Sequence, residues 1–484
     1  MTGFNAAQLQ AIEHKDGPMI VVAGPGSGKT TVLTHRIAHL IDACHVQPGS
    51  ILVITFTRAA AQEMEYRFRR LNGSHDGRSP VRKDGPDVCF GTFHSFFLKI
   101  LQEYASGQGR RGKYRIAEPK EALSALRRAA EKNDRSAADT SDYYDYVLHQ
   151  IGRIKNGLEC SDPKISKLRY LYDDEMSRRG LIDFDDMLVR CLELIKKEPA
   201  VLEGLRMRFR YIMVDEFQDI NPVQFEILQL ISGPRNNLFV VGDDDQSIYA
   251  FRGSDPSIML SFKTYYPDSA FLRLTENYRS SRSIVRASAK LIRHNKRRYS
   301  KRLTAARDRG SRPVFRQYAD PWEEAAAVLE DISGLPDGKD AAVLYRTHKA
   351  GSEIGRMYSE VMDDAAESGA GHDRRHGKEP IALRKALRGK KIHLMTFHAA
   401  KGLEFDTVYI IRAEEEITPG KAKDPRDKER YFEHIEEERR IFYVAMTRAK
   451  DHLQISCVRS RQGRKCRRSR FMREAAGLLG GGII

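Results

Sequence analysis

The sequence predicts an α/β protein with two parallel-sheet domains, a phosphate-binding loop near the start and a helical insertion in the first domain. Three observations carry that reading. The run "VVAGPGSGKT", Val21 to Thr30, joins an apolar strand to a Gly-rich loop and the start of a helix. Short β-branched runs alternate with helical patterns in two sets, one early and one late in the chain. Between about residues 96 and 204 the strands fade and helical periodicity dominates.

The elements follow in order. "MIVVAG" is a buried strand. In the loop after it, Gly24, Gly26 and Gly28 let backbone N–H groups curl around a polyphosphate without Cβ clashes. The helix that opens "TTVLTHRIAHLI" adds its positive dipole end. Lys29 is placed to reach the β- and γ-phosphates, and the Thr30 hydroxyl to ligate Mg²⁺. The expected nucleotide-binding stretch is Ala23, Gly24, Pro25, Gly26, Ser27, Gly28, Lys29, Thr30 and Thr31, with Ala23 where the strict pattern asks for Gly. "ILVITF", "YIMVDE", "NLFVVGD" and "FLRLTE" supply further strands of this domain. "AAVLYR", "KIHLMTF", "DTVYIIRA" and "HLQISCV" supply a second sheet. The expected division is 1–95 and 205–275 for the first α/β domain, 96–204 for the insertion and 276–484 for the second domain. Two Gly- and charge-rich stretches, Asn72 to Pro86 and Ala366 to Pro380, read as exposed loops or linkers.

Bulk properties narrow the function. The 484 residues carry 82 Lys and Arg against 66 acids, a formal net charge of +16, which points to a polyanion and first to nucleic acid. Six cysteines (Cys44, Cys89, Cys160, Cys191, Cys457, Cys466) have no C-x-x-C spacing, which argues against a zinc or iron–sulfur site and fits reduced thiols. No signal pattern and no membrane-length apolar run is visible, so a cytoplasmic or nucleoid-associated protein without a membrane partner is expected.

"YIMVDEFQDIN" places Asp215 and Glu216 at the end of an apolar strand. A carboxylate there holds Mg²⁺, which bridges the β- and γ-phosphate oxygens, so Thr30 and Asp215 are the expected metal ligands. Glu216 is placed to orient and deprotonate the attacking water. With the upstream loop, these residues make an ATPase or GTPase. Two acidic clusters, Asp183, Asp185 and Asp186, and Asp243, Asp244 and Asp245, invite a reading as a nuclease metal site. No His or Glu ligand set surrounds them, and that reading is set aside.

"DEFQD" resembles motif II of the UvrD/Rep-like superfamily 1 DNA helicases, and the rest of that family's series follows in order. "FNAAQLQAI" is similar to the Q motif, "ILVITFTRAAAQEM" to motif Ia and "GTFHSFF" to motif Ib. "LIDFDDML" is similar to the family signature, "VGDDDQSIYAFRGS" to motif III and "LTENYRS" to motif IV. "LMTFHAAKGLEFDTVYI" is similar to motif V and "EEERRIFYVAMTRAK" to motif VI. The resemblance runs from Phe4 to about Lys450. It implies two RecA-like P-loop domains with ATP and Mg²⁺ between them, and a motor moving 3′ to 5′ on single-stranded DNA. It assigns Gln8 to adenine reading, Tyr278 to adenine stacking, and Gln246 to sensing the γ-phosphate. Arg279 and Arg448 become the arginines that neutralise the transition state, and Glu404 a nucleotide contact from the second domain. With Lys29, Asp215 and Glu216 these complete the expected catalytic set. For DNA it implies Phe56, His94, Tyr249, Phe251 and Arg252, with Thr396, His398 and Lys401 as backbone contacts. Many relatives carry Trp where Phe251 stands.

The chain departs from the family in one large respect. Full-length relatives carry a helical insertion between "LYR" and motif V, and here only Gly355 to Lys391 fills that interval. What remains reads as one helix ("IGRMYSEVMDDAAES"), a Gly-rich linker and a basic stretch ("ALRKALRGKK"), a vestigial insertion over about 352–390. The expectation is a helicase or translocase acting on single strands and single/double-strand junctions in DNA repair or replication. Its unwinding is short-range or depends on a protein partner or self-association. The alternatives are a motor subunit of a repair or defence complex, or a non-enzymatic DNA-binding descendant, against which the intact catalytic set argues. The basic run Arg459 to Arg470 reads either as a phosphate grip or as a solvated tail.

Overall fold

The computed structural model describes residues 3–71, 87–109, 115–133, 141–158, 162–308, 310–363, 379–422 and 425–477. The expected loop at Asn72 to Pro86, and residues 366–378 of the expected linker, lie outside them. One compact unit comprises Met1–Ala23, Gly28–Asp244 and Tyr249–Leu274; the other comprises Gly24–Ser27, Asp245–Ile248 and Thr275–Ile484.

The first unit is built on a six-stranded sheet, in the order Cys89–Thr92, Ile51–Thr55, Tyr211–Val214, Leu238–Gly242, Met19–Ala23, Ala270–Leu274. Neighbours are parallel throughout, with Val21 opposite Val241 and Leu272, and Ile54 opposite Val214. The four central strands are buried at every position, which is why they read as continuous apolar runs rather than alternating ones. Ile37, Leu40, Val53, Met213 and Phe239 are part of the core that covers the sheet. Because the strands are parallel, Ala23, Thr55, Thr92, Val214 and Gly242 all end on one edge, where α/β sheets place their chemistry.

Between the Cys89–Thr92 and Tyr211–Val214 strands the described residues form six helices: Phe93–Gly107, Pro119–Asn133, Ser141–Lys155, Pro163–Arg178, Phe184–Lys197 and Pro199–Arg208. A reciprocal Thr92/Ser95 capping box starts the first of them. The middle helices share a core of their own that includes Leu126, Val147, Ile151, Leu168 and Met176.

The second unit holds a five-stranded parallel sheet, ordered Val314–Tyr318, Ala449–Val458, Phe405–Ile410, Asp340–Tyr345, Lys391–Thr396. The crossover from Asp340–Tyr345 to Lys391–Thr396 corrects the sequence reading. Among the described residues it carries two helices, Ser352–Met362 and Glu379–Leu387, where the sequence reading had one helix and a basic stretch. The basic stretch is helical because Leu383 and Leu387 pack into the core of Leu329, Val343 and Ile354, and propensity alone did not show that packing partner.

Of the two readings of the basic run, the structure rules out the solvated tail. Ser460–Arg461 and Arg464–Lys465 pair antiparallel. Arg467 and Arg470 bond Glu416 and Glu415, Arg468 bonds Gln317, and the helix Arg470–Ala476 buries Phe471 and Met472. Among the described residues, no helix is long and apolar enough to cross a membrane.

Candidate nucleotide and nucleic-acid sites

Gly28 caps the Lys29–Asp42 helix in the left-handed region, at φ 84°, a conformation open chiefly to glycine. A Cβ there would also lie 3.0 Å from Gln8 Nε2. Gln8 is buried and held by a reciprocal capping box. Its backbone N–H donates to Asn5 Oδ1 (2.9 Å), and its Oε1 accepts from the Asn5 N–H (3.1 Å). The predicted adenine-side glutamine and the end of the predicted phosphate loop therefore meet in the first unit.

Lys29 Nζ lies 3.3 Å from Glu216 Oε1. Burial works against its charge, but the fields of Glu216, Asp243 and Asp215 outweigh that and hold the ammonium above its ordinary range. Asp215 is pushed up to about 7, first by burial and then by the charge of Glu216. Its Oδ1 accepts the Glu216 N–H at 2.9 Å. Glu216 sits at φ 52°, a left-handed conformation that side-chain-bearing residues rarely adopt and that marks functional strain where it persists. The corner thus has more negative charge than Lys29 can neutralise. Hard oxygen donors with excess charge fit a divalent cation at Asp215 and Thr30.

In the second unit Asn277 Nδ2 donates to the Pro25 carbonyl (2.7 Å), and the Tyr278 N–H donates to the Gly26 carbonyl (2.9 Å). A Cβ on Gly26 would lie 2.6 Å from Arg279 Cβ, so that close approach requires glycine. Arg279 Nε donates to Glu404 Oε2 (2.7 Å), and Lys450 lies 3.0 Å from the same carboxylate. Burial opposes the Glu404 charge, yet these two cations hold its carboxyl below the usual range. Arg448 is fully buried and donates to the backbone carbonyls of Val444 (2.9 Å) and Leu403 (3.1 Å) and to Gln246 Oε1 (3.1 Å). Lys401 Nζ reaches the Gln246 carbonyl at 2.8 Å. The structure therefore gathers Gln246, Lys401 and Arg448. Tyr278 is partly exposed and its hydroxyl bonds Glu276 (2.7 Å). Thr396 ends its strand and its Oγ1 accepts the Ala399 N–H (3.3 Å), in the turn that carries His398.

The predicted DNA-facing aromatics of the first unit come together. Phe56 stacks on Tyr249 with centroids 4.9 Å apart, and Tyr249 lies 6.1 Å from Phe251. The Arg252 guanidinium sits 5.7 Å from the Tyr249 ring and 5.6 Å from the Phe251 ring, within cation–π range. Phe251 is 40% exposed. The His149 ring bonds the Phe251 carbonyl. His94 packs edge-on to Phe184 at 5.5 Å. Phe184 is 52% exposed and lies inside "LIDFDDML", yet the sequence reading gave it no role. Gln218, inside "DEFQD", was missed in the same way: its amide touches Glu216 and the Asp243 N–H.

Cations pair members of both acidic clusters, and carboxylate oxygens of Asp243, Asp244 and Asp245 lie within 4.8 Å of one another, close enough to hold a metal ion. Lys155 lies 2.8, 2.8 and 2.7 Å from Asp173, Asp183 and Asp186. Asp185 bonds Asn156 Nδ2 at 2.6 Å. Asp245 is clamped by Arg298 and Lys301 at 2.6 and 2.9 Å.

Two family models match the chain. The UvrD/REP helicase N-terminal domain covers residues 4–267, and the UvrD-like helicase C-terminal domain covers 272–360 and 379–460. YjcD of Bacillus subtilis (strain 168) is 31% identical over 97% of this chain and 81% of its own length. The ATP-dependent DNA helicase PcrA of Staphylococcus aureus (strain Mu50 / ATCC 700699) is 34% identical over 71% of this chain and 48% of its own length. PcrA of Leuconostoc citreum is 33% identical over 73% and 48%. The chain thus spans about half the length of the PcrA relatives it matches. Its alignment with YjcD runs over 621 positions against 484 residues, so at least 137 positions have no residue in this chain.

Proposed function

The chain belongs to the UvrD-like helicase family, and on that premise we propose that it is an ATP-dependent DNA helicase or translocase running 3′ to 5′ on single-stranded DNA. One observation carries the reading: the carboxyl edge of a single parallel sheet presents Lys29 within 3.3 Å of Glu216, with the buried Asp215 beside it. In the proposed reaction Lys29 exchanges Glu216 for the phosphates of ATP, and Glu216 is thereby released to orient the attacking water. Asp215 and Thr30 would hold Mg²⁺, which supplies charge neutralisation on the phosphate oxygens. Ala23 to Thr31 and Gln8 take the nucleotide in this proposal, joined by Tyr278, Arg279, Glu404 and Arg448 as family resemblance assigns. Gln246 senses the γ-phosphate.

Single-stranded DNA stacks on Tyr249 and Phe251 beside Phe56 and Arg252, with His94 and Phe184 as a second aromatic pair. Thr396, His398 and Lys401 hold the backbone. The substrates are single strands and single/double-strand junctions, in repair or replication within the cytoplasm or nucleoid. The shortened crossover, with the break in the family match between 360 and 379, favours a motor whose strand separation is short-range or partner-dependent. ATPase measured with and without single-stranded DNA, beside unwinding of duplexes bearing 3′ or 5′ tails, tests this. ATPase that ignores DNA, or unwinding from 5′ tails alone, refutes it.

A further inference from the structure

Glu216 has an unusual backbone, and its side chain needs a second support. Its left-handed φ of 52° sets the direction of the side chain but does not fix the carboxylate. Besides Lys29, Gln218 touches the carboxylate, two positions on in the short 3₁₀ turn, Phe217–Asp219, that Glu216 caps. Gln218 is completely buried. Its Nε2 donates to Glu216 Oε2, and more distantly to Asp219 Oδ2 at 3.4 Å. Its Oε1 accepts the backbone N–H of Asp243 at 2.9 Å. One planar amide therefore spans from the carboxylate to the end of the Leu238–Gly242 strand, the neighbour of the strand that precedes the phosphate loop.

The surroundings leave the amide little freedom. A Cβ on Gly242 would lie 2.6 Å from Gln218 Oε1 and 3.2 Å from its backbone nitrogen, so glycine is what admits the side chain there. Phe217 beside it is fully buried, with its ring 5.7 Å from Phe262 and 6.1 Å from Phe225. The turn is thus anchored on an aromatic core while the amide faces the acid.

We propose that Gln218 is a positioning residue for ATP hydrolysis: its side-chain amide holds the Glu216 carboxylate by tying it to the end of the Leu238–Gly242 strand. This rests on the reading of Glu216 as the water-orienting acid. In this proposal Gln218 acts through Glu216 and not on the nucleotide itself. A displaced base lowers turnover and leaves nucleotide binding largely intact, because binding is the work of the loop and Lys29.

The test uses the full chain and two variants. Gln218→Leu removes both ends of the amide. Gln218→Glu keeps an acceptor for the Asp243 N–H and removes the donor to Glu216, so it preserves the tie to the strand. With saturating single-stranded oligonucleotide, each variant should lower kcat by on the order of 10-fold or more and leave KM for ATP within about threefold. In a Glu216→Gln background, adding Gln218→Leu should cost less than about twofold in single-turnover rate, because two residues that act as one unit are not additive. A rise in KM with kcat unchanged overturns the proposal. So does a full additional loss in the double variant, or wild-type kcat in Gln218→Glu. Wild-type activity with unaffected variants refutes this inference alone; absence of DNA-stimulated ATPase in the wild-type chain refutes the underlying reading with it.

Discussion

Two corners of the first unit each set one largely buried lysine among several carboxylates, and they are built in opposite ways. Around Lys155, three carboxylates lie within 2.8 Å, and Asp183 and Asp186 also close a reciprocal capping box on the Phe184–Lys197 helix. Burial opposes the Lys155 charge, but Asp183, Asp186 and Asp173 hold it well above the ordinary range. Around Lys29 there is one carboxylate contact, at 3.3 Å, beside an acid raised to about 7 and a strained Glu216. The first corner is saturated in short bonds: Lys155 takes three carboxylates and Asn156 the fourth, Asp185. The second is under-neutralised and strained, and it lies at the carboxyl edge of the sheet. A saturated cluster stabilises; an unsaturated one is poised for a ligand that brings its own charges.

The widest separation between the two corners should appear in turnover. Lys29→Ala should abolish ATP hydrolysis, and Glu216→Gln should retain ATP binding while turnover falls by on the order of 10²-fold or more. Steady-state ATPase beside equilibrium binding of a fluorescent nucleotide separates the two effects. Near-normal ATPase in either variant would show that the unsaturated corner is not the chemical one.

Lys155→Met should do the reverse. It leaves buried carboxylates without their cation, a change that typically costs about 3–5 kcal/mol. Denaturant unfolding should shift accordingly, while kcat of the folded fraction stays within about threefold. A variant as stable as wild type but catalytically dead would place Lys155 in the reaction and dissolve the contrast.

The open corner also connects to the DNA-facing aromatics. Tyr249 lies near Asp219 and Glu216: its hydroxyl is raised to about 12, by burial first and then by Asp219. It also stacks on Phe56. Replacing Tyr249 and Phe251 together with Ala should bring the ratio of DNA-stimulated to unstimulated ATPase toward one, with the salt-sensitive stimulation of the wild type lost. Unchanged stimulation would make these rings core residues.

The two corners also differ in how far the sequence discloses them. The Lys29 corner is legible because "GPGSGKT" and "VDEFQD" are contiguous, and each ends a strand whose apolar run marks it. Asp183, Asp185 and Asp186 are equally visible, but their cation is not. Lys155 stands 28 and 31 residues before Asp183 and Asp186, at the end of another helix, and nothing local marks it among 82 basic residues. The same reason hid the partners of Arg467 and Arg470, Glu416 and Glu415, which lie 51 and 55 residues upstream. The parallel sheets follow from local patterns of strand and helix. Pairing of charges, and the docking of Leu383 and Leu387, are decided by contacts between segments far apart in the chain.

The smallest expected effect concerns Asp185, the one carboxyl of the saturated corner that Lys155 does not bond. It bonds Asn156 Nδ2 instead, and Asn156 Oδ1 in turn accepts from Asn221 Nδ2 at 2.6 Å. Asp185 is pushed up to about 6, by burial first and then by the charge of Asp183. A carboxyl raised in the folded state favours folding while protonated. Its contribution is therefore full below about pH 4, near its ordinary value of 3.8, and is lost as pH rises through about 6. Asp185→Asn removes the charge and keeps an oxygen for Asn156. It should leave stability unchanged near pH 4 and raise it above pH 7 by on the order of 1–2 kcal/mol, less than the raised pKa alone implies because the side chain is partly exposed. Unfolding of wild type and variant across pH 4 to 8 checks this. Equal gains at both ends would mean that the cost at Asp185 is steric rather than electrostatic. A loss at high pH would mean that Asp185 is a working anion, and that the saturated corner is less settled than its short bonds to Lys155 imply.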